Sequence, residues 1–401
     1  MSDERAADDG RAVPTRLIHH PYRAPDGFDA VPVAVHKAST VLFRDVAALR
    51  ARDWRSKAAY TYGLHGTPTT FTLEQRIATL EGGTHVLLAP SGLAAIAMVD
   101  FAFLGSGDEL LLPHNVYGPS RALAAHELAG WGVTHRLYDP LDAAGFASLI
   151  GPRTKLVWVE APGSVTMEFP DLRGIVRAAR ERGVTVAIDN TWGAGVAFCG
   201  FDLGDGLGAD IVVHALTKYP SGGADVLMGS VTTRDEALLH RIGAVHMRLG
   251  FGVGANDAEA VLRGLPTLDL RYEAHDRAAR TIARWCASRP EFARVLHPAL
   301  PGSPGHEHWA ALCSRAAGLF SVMVDPRYDT SRVDAFVDAL RLFGIGYSWG
   351  GPMSLAVPYD LAAMRGGRAP YAGTLVRLSI GLESADDLIA DLEQALSALR
   401  R

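Results

Sequence analysis

The chain has 401 residues, 48% hydrophobic and 21% charged, a balance that suits a soluble globular protein and leaves room for two or three domains. Its net charge of −5 gives no general electrostatic reason to bind nucleic acid or an anionic membrane. Cys199, Cys286 and Cys313 form no zinc pattern or disulfide framework, "MSDERAADDG" is no secretory signal, and "LAAIAMVDFAFLG" is too short and too interrupted to cross a bilayer, so a cytoplasmic protein is expected.

Residues 1–60 hold several prolines and no sustained periodicity, which predicts an extended N-terminal arm with a short helix near "DVAALRARDW". From residue 61 short apolar runs alternate with longer amphipathic ones. "THVLLAP", "DELLLP", "VTHRLYD", "KLVWVE", "VTVAID" and "DIVVHAL" read as strands; Gly92 to Leu104, "SRALAAHELAGWG" and "DLRGIVRAARERG" read as helices. Apolar strands alternating with helices predict an α/β fold with a mostly parallel sheet over residues 61–256, whose ligands bind at the carboxyl ends of the strands. After Gly254 a long helical stripe through Val261, Leu262, Leu265 and Leu268 leads to a smaller α+β domain, 257–401. That domain holds "GLFSVMVD", a helix near "RVDAFVDALRLFG", the strand "TLVRLSIGLE" and a final helix "ADDLIADLEQALSALR".

Four features fall at the predicted strand ends. Asp189 ends "VTVAID", where an ionised carboxylate needs a cationic partner or a capping role. Lys218 ends the apolar run "IVVHALTK"; a desolvated lysine becomes a nucleophilic amine, whereas most lysines are solvated surface charges. Ser91-Gly92 opens a helix whose free N–H groups suit a phosphate, as at many helix starts. Tyr117 can lie flat over a ligand ring or simply pack. Together, a phosphate cradle, a carboxylate, an aromatic plate and an amine are the parts that pyridoxal phosphate needs. Arg377, inside the apolar strand "TLVRLSIGLE", fits either a bidentate grip on a substrate carboxylate or a structural ion pair. The histidines show no metal-ligand spacing, so no metal is expected, and no G-x-G-x-x-G follows the first strand.

From about Tyr60 onward the chain resembles the Cys/Met-metabolism family of pyridoxal phosphate enzymes. The motifs are "YGLHGTPT", "LEGG", "SGLAAI", "VYGPS", "EAPGSVTME", "IDNTWGAG", "TKYPSGGAD", "HPALPGSPGHEHW", "YSWGGPMSL" and "GTLVRLSIGLE". "PGSVTME" and "YSWGG" look more like the cystathionine β-lyase branch than the γ-lyases or γ-synthases, which usually carry Asn where Ser164 stands. The resemblance implies the aspartate-aminotransferase-like fold (fold type I) and a homotetramer with active sites shared between subunits. It implies that Lys218 is the Schiff-base lysine and proton shuttle, that Asp189 pairs with the pyridine nitrogen, and that Tyr117 stacks on the ring. It gives Ser91, Gly92, Leu93, Ala215 and Thr217 places around the phosphate, Arg377, Ser348 and Trp349 to the substrate carboxylate, and Tyr62 to the neighbouring subunit's site.

Three positions depart from the family pattern. Leu64, beside His65, stands where an arginine commonly helps to hold the phosphate; Ala215 replaces a serine; Met353 replaces a glutamate near the substrate entrance. The implied reaction is α,β-elimination of cystathionine or a related sulfur amino acid to a thiol, pyruvate and ammonia. A γ-elimination, or elimination from an unusual amino acid with a sulfur or halide leaving group, is the alternative within the family. A non-catalytic cofactor-binding relative is the alternative outside it.

Overall fold

The computed structural model describes residues 11–19, 31–365 and 370–400. All six strands expected in the first half form: β1 (His85–Ala89), β2 (Glu109–Pro113), β3 (Thr134–Tyr138), β4 (Thr154–Glu160), β5 (Thr185–Asp189) and β6 (Ile211–Ala215). A seventh, β7 (Gly229–Thr233), inserts between β1 and β6 and gives the order β1-β7-β6-β5-β4-β2-β3. It runs antiparallel to both neighbours, while β6, β5, β4, β2 and β3 pair in parallel. The sequence hid β7 because "GSVTT" opens on glycine and is hydroxyl-rich, the composition of a turn. In the fold all five residues are buried, and Thr233 Oγ1 donates to the Asp210 carbonyl at 2.9 Å.

The sheet is buried on both faces, as its apolar strands require. Leu156, Trp158, Ala187, Ile211 and Val213 join one core with Ile96, Met98 and Val99 of the helix Gly92–Phe103. Val157, Val159, Val186, Ile188 and Val212 join the other, with Leu73 and Ile77 of the helix Pro68–Glu81. The twofold side-chain alternation of strands then carries Glu160, Asp189 and Ala215, the last residues of β4, β5 and β6, onto the face of the Gly92–Phe103 helix.

Asp100 is buried in that helix and accepts a hydrogen bond from Trp158 Nε1 at 2.8 Å. Burial pushes its carboxyl from 3.8 up to about 7, against the pull of the Trp158 bond. Between those values the native chain holds a proton that the unfolded chain has lost, so stability falls as pH rises. Asp100→Asn keeps an acceptor for Trp158. It is expected to flatten that decline, by up to ~1.4 kcal/mol per pH unit. Urea denaturation at two pH values between about 5 and 7 checks this; an unchanged slope would place the pH dependence elsewhere.

The stripe after Gly254 is two helices, not one. Ala255–Gly264 gives way to a 3-10 turn, Leu265–Thr267, before the 20-residue helix Leu268–Ala287. Pro266 lacks the N–H that an unbroken helix would need. Val261, Leu262, Leu265 and Leu268 are all buried. The long helix buries Leu268 and Tyr272 in the first core, and Ala279, Ile282, Ala283 and Cys286 in a separate one. The latter lies under a second sheet of β8 (Phe292–Leu296), β9 (Leu319–Val324), β10 (Gly344–Ile345), β11 (Leu355–Tyr359) and β12 (Leu375–Ser379), ordered β10-β11-β12-β9-β8. Only β12 was expected as a strand, and β9 falls on the apolar run "GLFSVMVD"; β11 carries Pro358, which argues against a strand interior.

Within residues 1–60, 1–10 and 20–30 lie outside the described residues. The helix near "DVAALRARDW" is Val46–Arg50, capped by the Asp45 carboxylate accepting from Ala48 N–H at 2.7 Å. The arm is not wholly extended: Val13–Ile18 is also helical, and Leu17 is buried in the first core. Six residues are too few for periodicity to register. Among the described residues, no helix is long and apolar enough to cross a membrane.

Candidate active site

The carboxyl edge of the large sheet gathers four of the expected side chains. Lys218 follows β6 in a tight turn: its N–H donates to the Ala215 carbonyl at 3.1 Å, and its carbonyl accepts from Gly222 N–H at 3.0 Å. On one side of that turn Thr217 Oγ1 accepts from Met228 N–H at 3.1 Å; on the other the Tyr219 hydroxyl accepts from Gly318 N–H at 2.8 Å. Lys218 Nζ sits 5.5 Å over the Trp349 ring and makes no ion pair among the described residues. Desolvation lowers its pKa, the nearby Asp189 opposes that shift, and Arg377 adds to it.

Asp189 accepts from Thr191 N–H at 2.9 Å, and Thr191 Oγ1 in turn accepts from Ala215 N–H at 2.9 Å, so the ends of β5 and β6 are tied together. Burial raises the Asp189 carboxyl; Thr191, His214 and Lys218 pull it down. Beside it, in strand register, is Glu160, which the sequence reading did not single out. Glu160 is 7% exposed, and its carboxyl is raised by burial and by the negative charge of Asp189. Its Oε1 accepts from the Tyr117 N–H at 2.6 Å. Tyr117 is 42% exposed; desolvation, Asp189 and Glu160 raise its hydroxyl pKa, and Arg377 lowers it.

The start of the Gly92–Phe103 helix closes the floor. Ser91 Oγ accepts from Ala94 N–H at 3.0 Å, leaving the Gly92 and Leu93 N–H groups without a partner inside the helix. A Cβ on Gly92 would come within 2.6 Å of the Ala215 methyl, so glycine lets this helix end sit against the end of β6. A Cβ on Gly229 would come within 2.3 Å of the Ser91 carbonyl oxygen, which seats the same turn against β7.

Arg377, on β12, is 9% exposed and has no carboxylate partner among the described residues. Its Nη2 donates to the Ser348 carbonyl at 3.4 Å, and its guanidinium lies 5.4 Å over the Tyr359 ring. Burial lowers the Arg377 pKa, and Tyr359 and Tyr347, neither of them expected, act with Tyr117 against that shift. Ser348 has φ +98, a conformation that a side chain rarely adopts and that recurs at functional sites. Trp349 connects this loop to the Lys218 turn through Tyr219, at 5.5 Å between rings.

The remaining residues lie apart. Tyr62, just past the arm, is 46% exposed; its hydroxyl accepts from Ser39 Oγ at 3.3 Å, and among the described residues no hydrogen bond or ring contact links it to Lys218, Asp189, Tyr117 or Arg377. Leu64 packs toward Gly252. His65 Nδ1 is 2.8 Å from Thr61 Oγ1, and burial lowers its pKa. Met353 is half exposed and lies against Gly344. Among the described residues, no group of three or more His, Cys, Asp or Glu could hold a metal.

The site suits one organic cofactor: free helix N–H groups for a phosphate, a half-buried carboxylate for a ring nitrogen, an aromatic plate, and a half-buried amine without an ion pair for an aldehyde. The family model for Cys/Met metabolism PLP-dependent enzymes matches residues 14–397.

The chain belongs to that family.

The cofactor is therefore pyridoxal phosphate. The chain is 40% identical to the cystathionine β-lyase of Bordetella avium, over 99% of each chain. It is 38% identical to cystathionine β-lyase MetC of Escherichia coli K12, over 92% of this chain and 94% of that one. A crystal structure of cystathionine γ-lyase from Lactobacillus plantarum, complexed with L-serine, superposes with a TM-score of 0.87 at 28% identity, covering 97% of this chain and 100% of the other. The expected fold, a mostly parallel α/β sheet with a smaller C-terminal sheet domain, is the fold observed. These relatives support the main functional reading, a PLP-dependent carbon–sulfur lyase, over the non-catalytic one.

Proposed function

We propose that the protein is a carbon–sulfur β-lyase that cleaves cystathionine, or a closely related sulfur amino acid, to a thiol, pyruvate and ammonia. The observation that carries this reading is the meeting of a half-buried amine, Lys218, which makes no ion pair among the described residues, with the charges of Asp189 and of the carboxylate-free Arg377.

In this reading Asp189 holds the cofactor ring nitrogen, Tyr117 covers the ring, and the N–H groups of Gly92 and Leu93 with the Thr217 hydroxyl hold the phosphate. Ser91 and Ala215 shape that cradle. Arg377 grips the substrate α-carboxylate, helped by Ser348 and Trp349. The bound cofactor supplies the electron sink that makes the substrate Cα–H acidic. Lys218, its pKa lowered by desolvation, accepts the Cα proton and as an ammonium is the acid that can return it to the departing sulfur. Cleavage of the Cβ–S bond then leaves aminoacrylate, which water converts to pyruvate and ammonia.

Tyr62 has no partner in its own chain's site, and Val31, Leu42 and Val46 of the arm are exposed apolar side chains. Both features fit a homotetramer in which Tyr62 completes a neighbouring subunit's site. We take residues 61–256 and 257–401 as its two domains, and the cytoplasm as its compartment.

Reconstituted enzyme given L-cystathionine is expected to release pyruvate, read by coupled NADH oxidation. A four-carbon keto acid in its place would assign γ-elimination. No keto acid from cofactor-loaded enzyme would rule out cystathionine as substrate.

A further inference from the structure

Glu160 is a buried carboxyl group that neither the cofactor contacts nor the substrate grip uses. It ends β4, in register with Asp189 at the end of β5, and both carboxyls point to the cofactor face of the sheet. No cation among the described residues pairs with it. Its Oε1 instead accepts the Tyr117 N–H at 2.6 Å, with further help from Ser164. Tyr117 follows β2 as the cap of the six-residue helix Gly118–Leu123, where its carbonyl accepts from Ser120 and Arg121 N–H and its side chain makes no cap bond, so Glu160 is what holds its N–H.

We propose that Glu160 is a positioning residue for the cofactor site: by accepting the Tyr117 N–H beside Asp189, it fixes where the Tyr117 ring lies over the cofactor and sets the net negative charge that meets the ring nitrogen. This rests on the reading of Tyr117 and Asp189 as cofactor contacts.

The chemistry follows from placing two like-charged groups side by side. Two carboxyls in register, one buried and one half-buried, are costly to ionise together, so the pair favours a state that keeps one proton. The groups that face Glu160 offer no cation to change this. They are Asp189 from β5, Tyr117 from the loop after β2, Ser164 from the loop after β4, and Tyr138 from β3, whose hydroxyl donates to the Trp158 carbonyl at 2.8 Å. Glu160 has the raised carboxyl that this sharing requires, so it can hold the proton and leave Asp189 free to pair with the ring nitrogen.

Two variants separate anchoring from charge. Glu160→Gln keeps an acceptor for the Tyr117 N–H and removes the titration; Glu160→Ala removes both. The readouts are the cofactor dissociation constant, from fluorescence titration of the apoenzyme, and the visible absorbance and circular dichroism of the holoenzyme across pH 6 to about 9. Glu160→Ala is expected to bind the cofactor roughly tenfold more weakly and to lose much of the visible circular dichroism. Glu160→Gln is expected to stay within about threefold of wild type in affinity, with a wild-type dichroic band but a displaced pH profile. Wild-type affinity and dichroism in Glu160→Ala would overturn the anchoring role, and an unmoved profile in Glu160→Gln would overturn the charge role. The Gln variant is nearly isosteric, so it decides the matter if the Ala variant fails to fold. Asp189→Asn and Tyr117→Ala serve as controls: if they too leave cofactor binding unchanged, the reading of the site has failed and not the role of Glu160.

Discussion

Lys218→Ala is expected to reduce turnover by about 10³-fold or more and to abolish the visible absorption band of the holoenzyme, without loss of the fold. The size follows from two jobs falling on one amine: attachment of the cofactor, and movement of the Cα proton. Folding should tolerate the change. Lys218 Nζ has no ion pair among the described residues, and its desolvation is a cost to the native state that alanine removes. The turn itself is held by backbone bonds to Ala215 and Gly222 and by the buried Tyr219, none of which involves the lysine side chain. A Lys218→Ala protein that keeps the wild-type band and more than about a tenth of wild-type turnover would mean that another amine does this work.

Arg377→Leu is expected to raise KM for the amino-acid substrate by roughly 10²-fold, with a smaller fall in kcat, while the melting temperature stays level or rises. The affinity loss is that of a charge-assisted grip, about 2–5 kcal/mol when one partner of such a pair is removed. The stability half of the prediction separates the two roles open to a buried arginine. Had Arg377 belonged to a structural ion pair, its removal would strand a buried carboxylate and destabilise the fold by about 3–5 kcal/mol. No described carboxylate pairs with it; the carbonyl of Ser348 and the face of the Tyr359 ring lie against it instead. Kinetics paired with thermal melts check both halves. An unchanged KM together with a sharp drop in melting temperature would return Arg377 to a structural role.

Much of the site was legible because its residues sit where the sequence pattern changes. Lys218, Asp189 and Ser91-Gly92 each end or follow an apolar run, and a parallel sheet brings such ends to one edge. Arg377 stood out as a charge inside an apolar strand. Glu160 ends a strand in the same way, yet an acidic residue there fits many roles, and only the β4–β5 register sets it beside Asp189. Tyr347 and Tyr359 were hidden for another reason: what matters is their position around Arg377, reached from a loop and from β11, a strand that Pro358 disguised. β7 escaped because an antiparallel insertion breaks the strand-helix-strand rhythm that made the other six visible. Tyr62 could be placed only by resemblance, since its own chain gives it no site.

The most direct test uses a feature of composition. The chain has four lysines: Lys37, Lys57, Lys155 and Lys218. Lys57 is engaged by Glu74 and by the Val86 carbonyl, and of the four only Lys218 stands beside Asp189. Borohydride reduction of the cofactor-loaded enzyme, followed by peptide mapping, fixes the cofactor to whichever amine carries it. The predicted result is a single labelled peptide containing Lys218. Label on any other lysine, or none on a protein that binds the cofactor, would contradict the account.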